Sequence, residues 1–312
     1  MGTVFDTQDT DVSSVSAFTS KVIECVPSSS PRIIITGGAN GVGAHCAIYF
    51  ARVHNARVAL LDDDTLALRS LRYHLFVTHN FLFEQRTEPG GGVFEYLPSD
   101  KFMFLPTDFT CEDSVMASTM MVTRTWLGVD GVVNNPGSGP LASFTSQPIE
   151  HTSLVDFNRV VECTLSAQWV VAKHVVAELS KTGGAIVAIA STRASQSEAD
   201  SSAAYAAAKG GVISLTHALA CSFSERRVRV NAISAGWIDV RDAIMSHVSV
   251  FPGAPVEPLR PIDHDQHWTG SVGKGEDVAK LAWFLLDHSQ SGFIDGQNYV
   301  IDGGMSKKMC YA

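Results

Sequence analysis

The chain has 312 residues, of which 45% are hydrophobic and 18% are charged, and its formal net charge is −9. This composition is typical of a globular protein and excludes a coiled coil, a collagen-like chain and general disorder. Lysine and arginine are scattered along the chain, so we expect no nucleic-acid partner, which would need clustered positive charge. No apolar run reaches the ~20 residues that span a bilayer, so we expect no membrane segment.

The N-terminal 31 residues differ in composition from the rest of the chain. They are rich in Ser, Thr and Asp, end in a Pro/Ser-rich stretch at 27–31, and lack the features of a secretory signal. We therefore predict a flexible tail over 1–31 and one domain over 32–312. The six cysteines show no paired spacing, which favours reduced thiols and a cytoplasmic protein.

From residue 32 onward, short apolar runs alternate with stretches of helical composition. This alternation predicts right-handed βαβ crossovers. The expected fold is a single-domain Rossmann-type α/β fold, a doubly wound parallel sheet of about seven strands with helices on both faces. A Gly-rich stretch at 78–101 is expected to be a loop insertion. The predicted strands are 32–36, 56–61, 102–105, 129–133, 185–190, 228–233 and 298–301, and the main predicted helices are 44–53, 65–77, 112–127, 154–180, 203–224 and 275–287.

The segment 36–43, TGGANGVG, joins the first predicted strand to its helix. Glycines there let the backbone turn tightly and approach a pyrophosphate, and the helix N-terminus offers free N–H groups. A glycine run alone could be only a flexible turn. Its position between a strand and a helix favours a dinucleotide site.

Asp62 ends the second predicted strand. An acidic residue about that far beyond the glycine turn accepts a hydrogen bond from a ribose hydroxyl and repels a 2′-phosphate. Alternatively it could cap the next helix, although Asp63 and Asp64 also suit that role. Neither the glycine turn nor 62–64 contains Arg or Lys, so we expect NAD rather than NADP.

Tyr205 and Lys209 lie four residues apart in a helical stretch, so their side chains share one face. A tyrosine with its ordinary pKa of ~10 is a poor base, but a nearby cation favours the phenolate. Such a tyrosine can exchange a proton with an alcohol or ketone while hydride moves to or from a nicotinamide. By itself, this spacing is common among surface residues.

Further motifs occur in order at strand ends: NNPG at 134–137, Ser191 ahead of Tyr205, and SAGWI at 234–238. Together with the glycine turn, they resemble the short-chain dehydrogenase/reductase family, from about Arg32 to Met309. The resemblance implies that Tyr205 is the acid/base and that Lys209 holds the nicotinamide ribose and lowers the tyrosine pKa. It also implies that Ser191 binds the substrate oxygen, although the adjacent Thr192 leaves a one-residue ambiguity.

The resemblance also implies the contacts of the cofactor. Asp108 and Phe109 would lie beside the adenine, Asn134 would pack beside the adenine ribose, and Ile238 would present its backbone to the nicotinamide carboxamide. The full set of implied cofactor-binding residues is Gly37, Asn40, Gly41, Val42, Gly43, Asp62, Asp108, Phe109, Asn134, Tyr205, Lys209, Gly236 and Ile238.

Three positions depart from the family pattern. Pro136 replaces an alanine and removes one backbone N–H, and Ala235 replaces a proline. Thr164 stands where the family usually has a catalytic Asn that supports a water in the proton relay. A threonine hydroxyl could hold a water with a different reach, so we count Thr164 among the catalytic residues.

No metal is expected. His264, Asp265 and His267 are close in sequence, but no fourth-ligand cluster matches them. They fall in a predicted substrate lid at about 239–270, where solvated loop residues or substrate contacts are the expected roles.

The leading hypothesis is an NAD-dependent oxidoreductase that interconverts a secondary alcohol and a ketone. The alternatives are an NADP-dependent 3-oxoacyl-type reductase and a catalytically weak nucleotide-binding regulatory protein, which Thr164 favours. The resemblance implies a homo-oligomer, a tetramer or a dimer, assembled through the helices at 154–180 and 203–224. The second of these helices is rich in alanine and glycine, which permit close helix contact.

Overall fold

The structure, a computed structural model, describes residues 30–77, 101–137, 149–197, 203–241 and 258–309. The predicted tail, the 78–101 insertion and the centre of the predicted lid therefore lie almost wholly outside the described residues. Within the described ranges, no helix is both long and apolar enough to cross a membrane.

Seven strands form one parallel sheet in the order β3-β2-β1-β4-β5-β6-β9, and the short strands β7 and β8 pair separately. The strand order reverses between β1 and β4, and in such sheets ligands bind at the carboxyl ends of the strands beside this point. The strands are β1 Arg32–Thr36, β2 Arg57–Asp62, β3 Phe102–Pro106, β4 Gly131–Asn134, β5 Ala185–Ser191, β6 Arg229–Ala235, β7 Ile238–Asp239, β8 Gly273–Lys274 and β9 Asn298–Ile301.

Helices cover both faces of the sheet. Successive side chains of a strand point to opposite faces. Thus Ile33 and Ile35 pack with α1, α2 and α8, while Ile34 packs with α3 and α5. The predicted doubly wound Rossmann-type fold is confirmed. The helices are α1 Gly41–Val53, α2 Thr65–Val77, α3 Glu112–Trp126, α4 Leu154–Val161, α5 Ala167–Thr182, α6 Ala203–Phe223, α7 Pro261–Asp265, α8 Gly275–Leu286 and α9 His288–Ser291.

The predicted helix at 154–180 is interrupted, because a π-helix at Glu162–Ser166 separates α4 from α5. The widened turn packs against the 134–137 turn so closely that a Cβ on Gly137 would lie 2.7 Å from the Cys163 carbonyl oxygen. Contacts between distant parts of the chain stabilise this turn, so its local composition carries no signal of it. The pairing of β7 with β8 was also not predicted, since each strand has only two residues.

Candidate active site

The glycine turn between β1 and α1 has a geometry that only glycine permits at several positions. Gly37 and Gly41 have φ values of 59° and 54°, in the left-handed region. A Cβ on Gly43 would lie 2.1 Å from the Gly37 carbonyl oxygen. Asn40 is the N-cap of α1, and its side chain makes no capping hydrogen bond. The turn therefore forms a backbone cradle at a helix N-terminus, which suits a pyrophosphate.

Asp62 is buried at the end of β2, where it holds the glycine turn in place. Its Oδ2 accepts a hydrogen bond of 2.9 Å from the Ala39 backbone N–H, and its Oδ1 accepts one of 2.9 Å from Asp64. Burial raises the pKa of Asp62 to about 6. The Asp63 side chain is also hydrogen-bonded to Asp62 and raises its pKa further. Asp64, rather than Asp62, caps the next helix, because Asp64 Oδ1 accepts a hydrogen bond from the Ala67 N–H of α2.

A cleft of about 950 Å³ opens at the carboxyl ends of β2 and β3, against α4 and the π-helix. Three acidic residues, Asp63, Asp108 and Glu162, and one basic residue, Arg159, are among those that line it. Hydrogen bonds from Thr110 lower the pKa of Asp108, which keeps it ionised. The cleft is lined by Asp63, Thr65, Pro106, Thr107, Asp108, Thr110, Ser114, Val155, Asn158, Arg159, Glu162 and Cys163.

The side chains of two predicted cofactor residues, Phe109 and Asn134, make their contacts inside the protein. The Phe109 side chain is buried in the core under α3 and α5, which leaves its backbone as the part that can contact a nucleotide. The Asn134 side chain accepts from Thr36 Oγ1 at 3.2 Å and donates to the Gln168 carbonyl at 2.9 Å. Asn134 therefore joins β1, β4 and α5, and its contact with the adenine ribose stays a prediction.

Ser191 and Tyr205 meet at the carboxyl end of β5. The two side chains are hydrogen-bonded, and Ser191 Oγ also accepts from the Arg193 backbone N–H at 3.2 Å. The structure thus favours Ser191 over Thr192 as the partner of Tyr205. Burial raises the pKa of Tyr205, although the hydrogen bond from Ser191 and the charge of Arg193 act in the opposite direction.

Lys209 lies one helical turn after Tyr205, and its Nζ is 5.6 Å from the centre of the tyrosine ring. It donates a 2.7 Å hydrogen bond to the Ile189 carbonyl, and burial lowers its pKa to about 8. The expected lowering of the tyrosine pKa is not seen here, because desolvation of the phenol outweighs the favourable contacts. Tyr205 is therefore a neutral phenol at neutral pH, the form that donates a proton.

Thr164 lies inside the π-helix and is fully buried. Among the described residues its Oγ1 has no hydrogen-bond partner. A Cβ on Gly137, the last residue of the 134–137 turn, would lie 3.1 Å from this oxygen. Single π-turns inside helices occur frequently at functional sites, so an unpartnered hydroxyl here fits a role in holding a small polar group.

The remaining predicted residues lie at the end of β6. A Cβ on Gly236 would lie 2.5 Å from the Cβ of Asp302, so the chain can pass there only with glycine. Ile238 begins β7 and is half-buried. His267 Nδ1 contacts the Asp263 carbonyl, and His264 Nδ1 accepts from the Val272 N–H. In the parts of the chain that the structure describes, no three His, Cys, Asp or Glu side chains are arranged to hold a metal ion.

Sequence reasoning missed Arg159, Glu162 and Gln168. No local pattern marks the first two, since α4 reaches the cleft only through the fold. Gln168 had a usable signal, because it is a polar residue at a buried position of an otherwise apolar helix face.

Comparisons with known proteins agree with this geometry. A family model described as enoyl-(acyl carrier protein) reductase matches residues 92–306. An uncharacterized oxidoreductase of Thermotoga maritima is 35% identical over 280 residues, which cover 89% of this chain and 96% of that protein. The L-fucose dehydrogenase of Oryctolagus cuniculus is 28% identical over 279 residues, covering 87% of this chain and 84% of the relative.

Among solved structures, an apo SCOR enzyme from Clostridium thermocellum superimposes with a TM-score of 0.68 at 28% sequence identity. The match covers 90% of this chain and 95% of that one. The fold, the order of the motifs and these similarities show that the chain belongs to the short-chain dehydrogenase/reductase family of oxidoreductases.

Proposed function

We propose that the protein interconverts a secondary alcohol and a ketone, with NAD as cofactor and Tyr205 as acid/base. The observation that carries this proposal is the hydrogen bond between Ser191 and Tyr205 with Lys209 one turn further on, at the end of β5. A hydroxyl, a phenol and a buried ammonium group together suit polarisation of a carbonyl and transfer of one proton.

In this mechanism Ser191 and Tyr205 both direct hydroxyl groups at the substrate oxygen. In ketone reduction Tyr205 donates its proton to that oxygen, and in alcohol oxidation the tyrosinate accepts it. Lys209 supplies positive charge beside the tyrosine, and Thr164 holds a water of the proton relay. The bound nicotinamide supplies or accepts the hydride. Gly37 has a left-handed φ, and a Cβ on Gly43 would meet the Gly37 carbonyl, so the turn keeps a bare backbone that fits such a dinucleotide.

The charges around the cleft favour NAD over NADP. Asp62 ends β2, and Asp63, Asp108 and Glu162 line the cleft with Arg159 as the opposing cation. The charges of Asp63 and Arg159 also act on the Cys163 thiol, which lines the same cleft. Burial raises the pKa of this thiol most, the Asp63 carboxylate raises it further, and the Arg159 guanidinium lowers it. The surplus of negative charge disfavours a 2′-phosphate.

We expect NAD to bind at least ten times more tightly than NADP, a difference of ~1.4 kcal/mol. Asp62→Ala should narrow this gap, but it also frees the Ala39 N–H of the glycine turn. Asp63→Asn is therefore the second variant: it removes one exposed charge and keeps the Asp62 carboxylate that accepts from Ala39, and it changes only the side-chain contact between Asp63 and Asp62. Calorimetric titration with both nucleotides measures the gap, and equal affinities in the wild type would contradict the proposal.

The function itself is tested by turnover with NAD and a panel of secondary alcohols, together with L-fucose, the sugar in the relative's name. We expect NAD reduction with at least one alcohol. Absence of turnover with every alcohol and ketone, despite nucleotide binding, would favour the nucleotide-binding regulatory protein, the reading that Thr164 supports.

Arg159 is the observation that favours the alternative, an NADP-dependent 3-oxoacyl-type reductase. Arg159 lines the cleft, and a guanidinium is a group that pairs well with a 2′-phosphate. The rate of turnover of a 3-oxoacyl thioester, measured with NADPH and with NADH, distinguishes this alternative from the NAD-dependent enzyme. Faster turnover with NADPH would establish this alternative.

A further inference from the structure

Gln168 stands out among the residues of α5. Its side chain is 1% exposed, and burial of an amide in an apolar environment costs free energy unless it is hydrogen-bonded. An apolar side chain of similar length would fill this space at lower cost. The other buried residues of α5 are Ala167, Val171, Ala172, Val175, Val176 and Leu179.

Two hydrogen bonds tie Gln168 to its surroundings. Its backbone carbonyl accepts from Asn134 Nδ2 at 2.9 Å, and its Nε2 donates a long, weak bond of 3.5 Å to the Ile189 carbonyl. The same Ile189 oxygen accepts the 2.7 Å hydrogen bond from Lys209 Nζ. A carbonyl oxygen has two lone pairs, so the amide and the ammonium group share one acceptor.

This arrangement continues to the glycine turn, because Thr36, the residue before Gly37, donates to Asn134 Oδ1. A continuous buried path of hydrogen bonds therefore runs from the turn to Lys209. We infer that Gln168 is a positioning residue for Lys209: its amide shares the Ile189 carbonyl with the ammonium group and so sets the place and charge of the lysine. The inference deepens the proposed function and rests on it.

The direction of the effect follows from the charges. The N–H side of the amide is the positive end of a dipole, and it competes with the ammonium group for one oxygen. Both effects disfavour the charged lysine, so removal of the amide should raise the pKa of Lys209 from about 8, the value that burial produces.

Few other titratable groups face this site. Among the described residues they are Tyr205 on the same helix, Arg193 in the turn after β5, whose charge acts on the phenol, and Cys163 in the π-helix, which packs like Tyr205 against Val160 and Ala204. Burial raises the pKa of both Tyr205 and Cys163, so both are neutral near pH 8. Lys209 should therefore set the alkaline limb of ketone reduction.

The test is Gln168→Met, which keeps the length of the side chain and removes the donor. In protein with isotope-labelled lysine, NMR follows the titration of the Lys209 side chain, with Lys209→Met to assign its signal. We expect the pKa to rise by about half a unit or more, and the alkaline limb of ketone reduction to move in the same direction. Thr119→Val is the control, since it removes a buried hydroxyl on α3 that bonds only to its own helix.

An unchanged lysine titration in folded Gln168→Met would overturn the inference, even if the variant were less stable. Gln168→Leu removes the same donor with a different shape and decides the matter if the first variant does not fold. If the wild type shows no turnover, the proposed function fails, and the lysine titration still tests the inference.

Discussion

At the scale of single residues, the candidate site depends on how burial changes the chemistry of Tyr205 and Lys209. Burial raises the pKa of the phenol and lowers that of the ammonium group to about 8. The two pKa values thus move apart, so near pH 8 the phenol keeps its proton while the ammonium group begins to lose its own. The sequence showed their spacing, and only the structure shows that both are desolvated.

Tyr205→Phe should lower kcat about a hundredfold or more, the usual loss on removal of a general acid/base. The ring and its packing remain, so the affinity for NAD should change little. Steady-state kinetics with a ketone and a parallel nucleotide titration measure the two effects. A variant that keeps most of its activity would show that another group donates the proton.

Thr164→Asn should leave activity equal or higher. An Asn amide offers two donors and an acceptor, whereas the buried threonine hydroxyl offers one donor and two acceptor lone pairs. The turnover of Thr164→Asn and that of the wild type are compared at a temperature at which both proteins are folded. A loss of more than tenfold in a folded variant would show that the π-helix has been rebuilt around threonine, and that the residue transferred from the family pattern has another role here.

At the scale of elements, the turn between β1 and α1 is limited by backbone contact. Gly43→Ala should weaken nucleotide binding more than tenfold and lower the Tm. The new Cβ would lie 2.1 Å from the Gly37 carbonyl oxygen, and the backbone of the turn would have to shift to make room for it. Gly210→Ala on α6 is the control, since within one subunit its Cβ enters open space, and light scattering checks that its assembly is the same as that of the wild type. There we expect unchanged binding and a gain of up to ~1 kcal/mol in helix stability. Equal behaviour of the two variants would refute this account of the turn.

At the scale of the whole molecule, we predict a homo-oligomer, a tetramer or a dimer. The helices at 154–180 and 203–224 were predicted to form its interface, and the first carries exposed Leu154 and Trp169. Leu154 on α4 and Trp169 on α5 would each bury exposed apolar area if these helices met a partner subunit. Light scattering at micromolar concentration measures the mass. Trp169→Lys should lower the measured mass, whereas Val53→Lys, at an exposed site on α1, should leave it unchanged. A monomeric mass for the wild type would contradict the prediction.

The single domain over 32–312, the flexible tail over 1–31 and the cytoplasmic location stay predictions.

The long helix predicted at 154–180 shows what a local sequence pattern cannot predict. Its apolar positions predict a helix, but they do not reveal that Glu162–Ser166 widens into a π-turn against Gly137. That contact joins residues about 26 positions apart, beyond the reach of any periodicity argument.

Spacing along the chain and local backbone preference are enough to predict the order of strands and helices, the glycine turn, and the shared helix face of Tyr205 and Lys209. Contacts between elements do not follow from that spacing. In the folded protein Asp62 holds the glycine turn, Arg159 lines the cleft, and Gln168 and Lys209 share the Ile189 carbonyl. The physical reason is that hydrogen bonds and charges inside a protein act between neighbours in space, and these neighbours lie on elements that the sheet brings together.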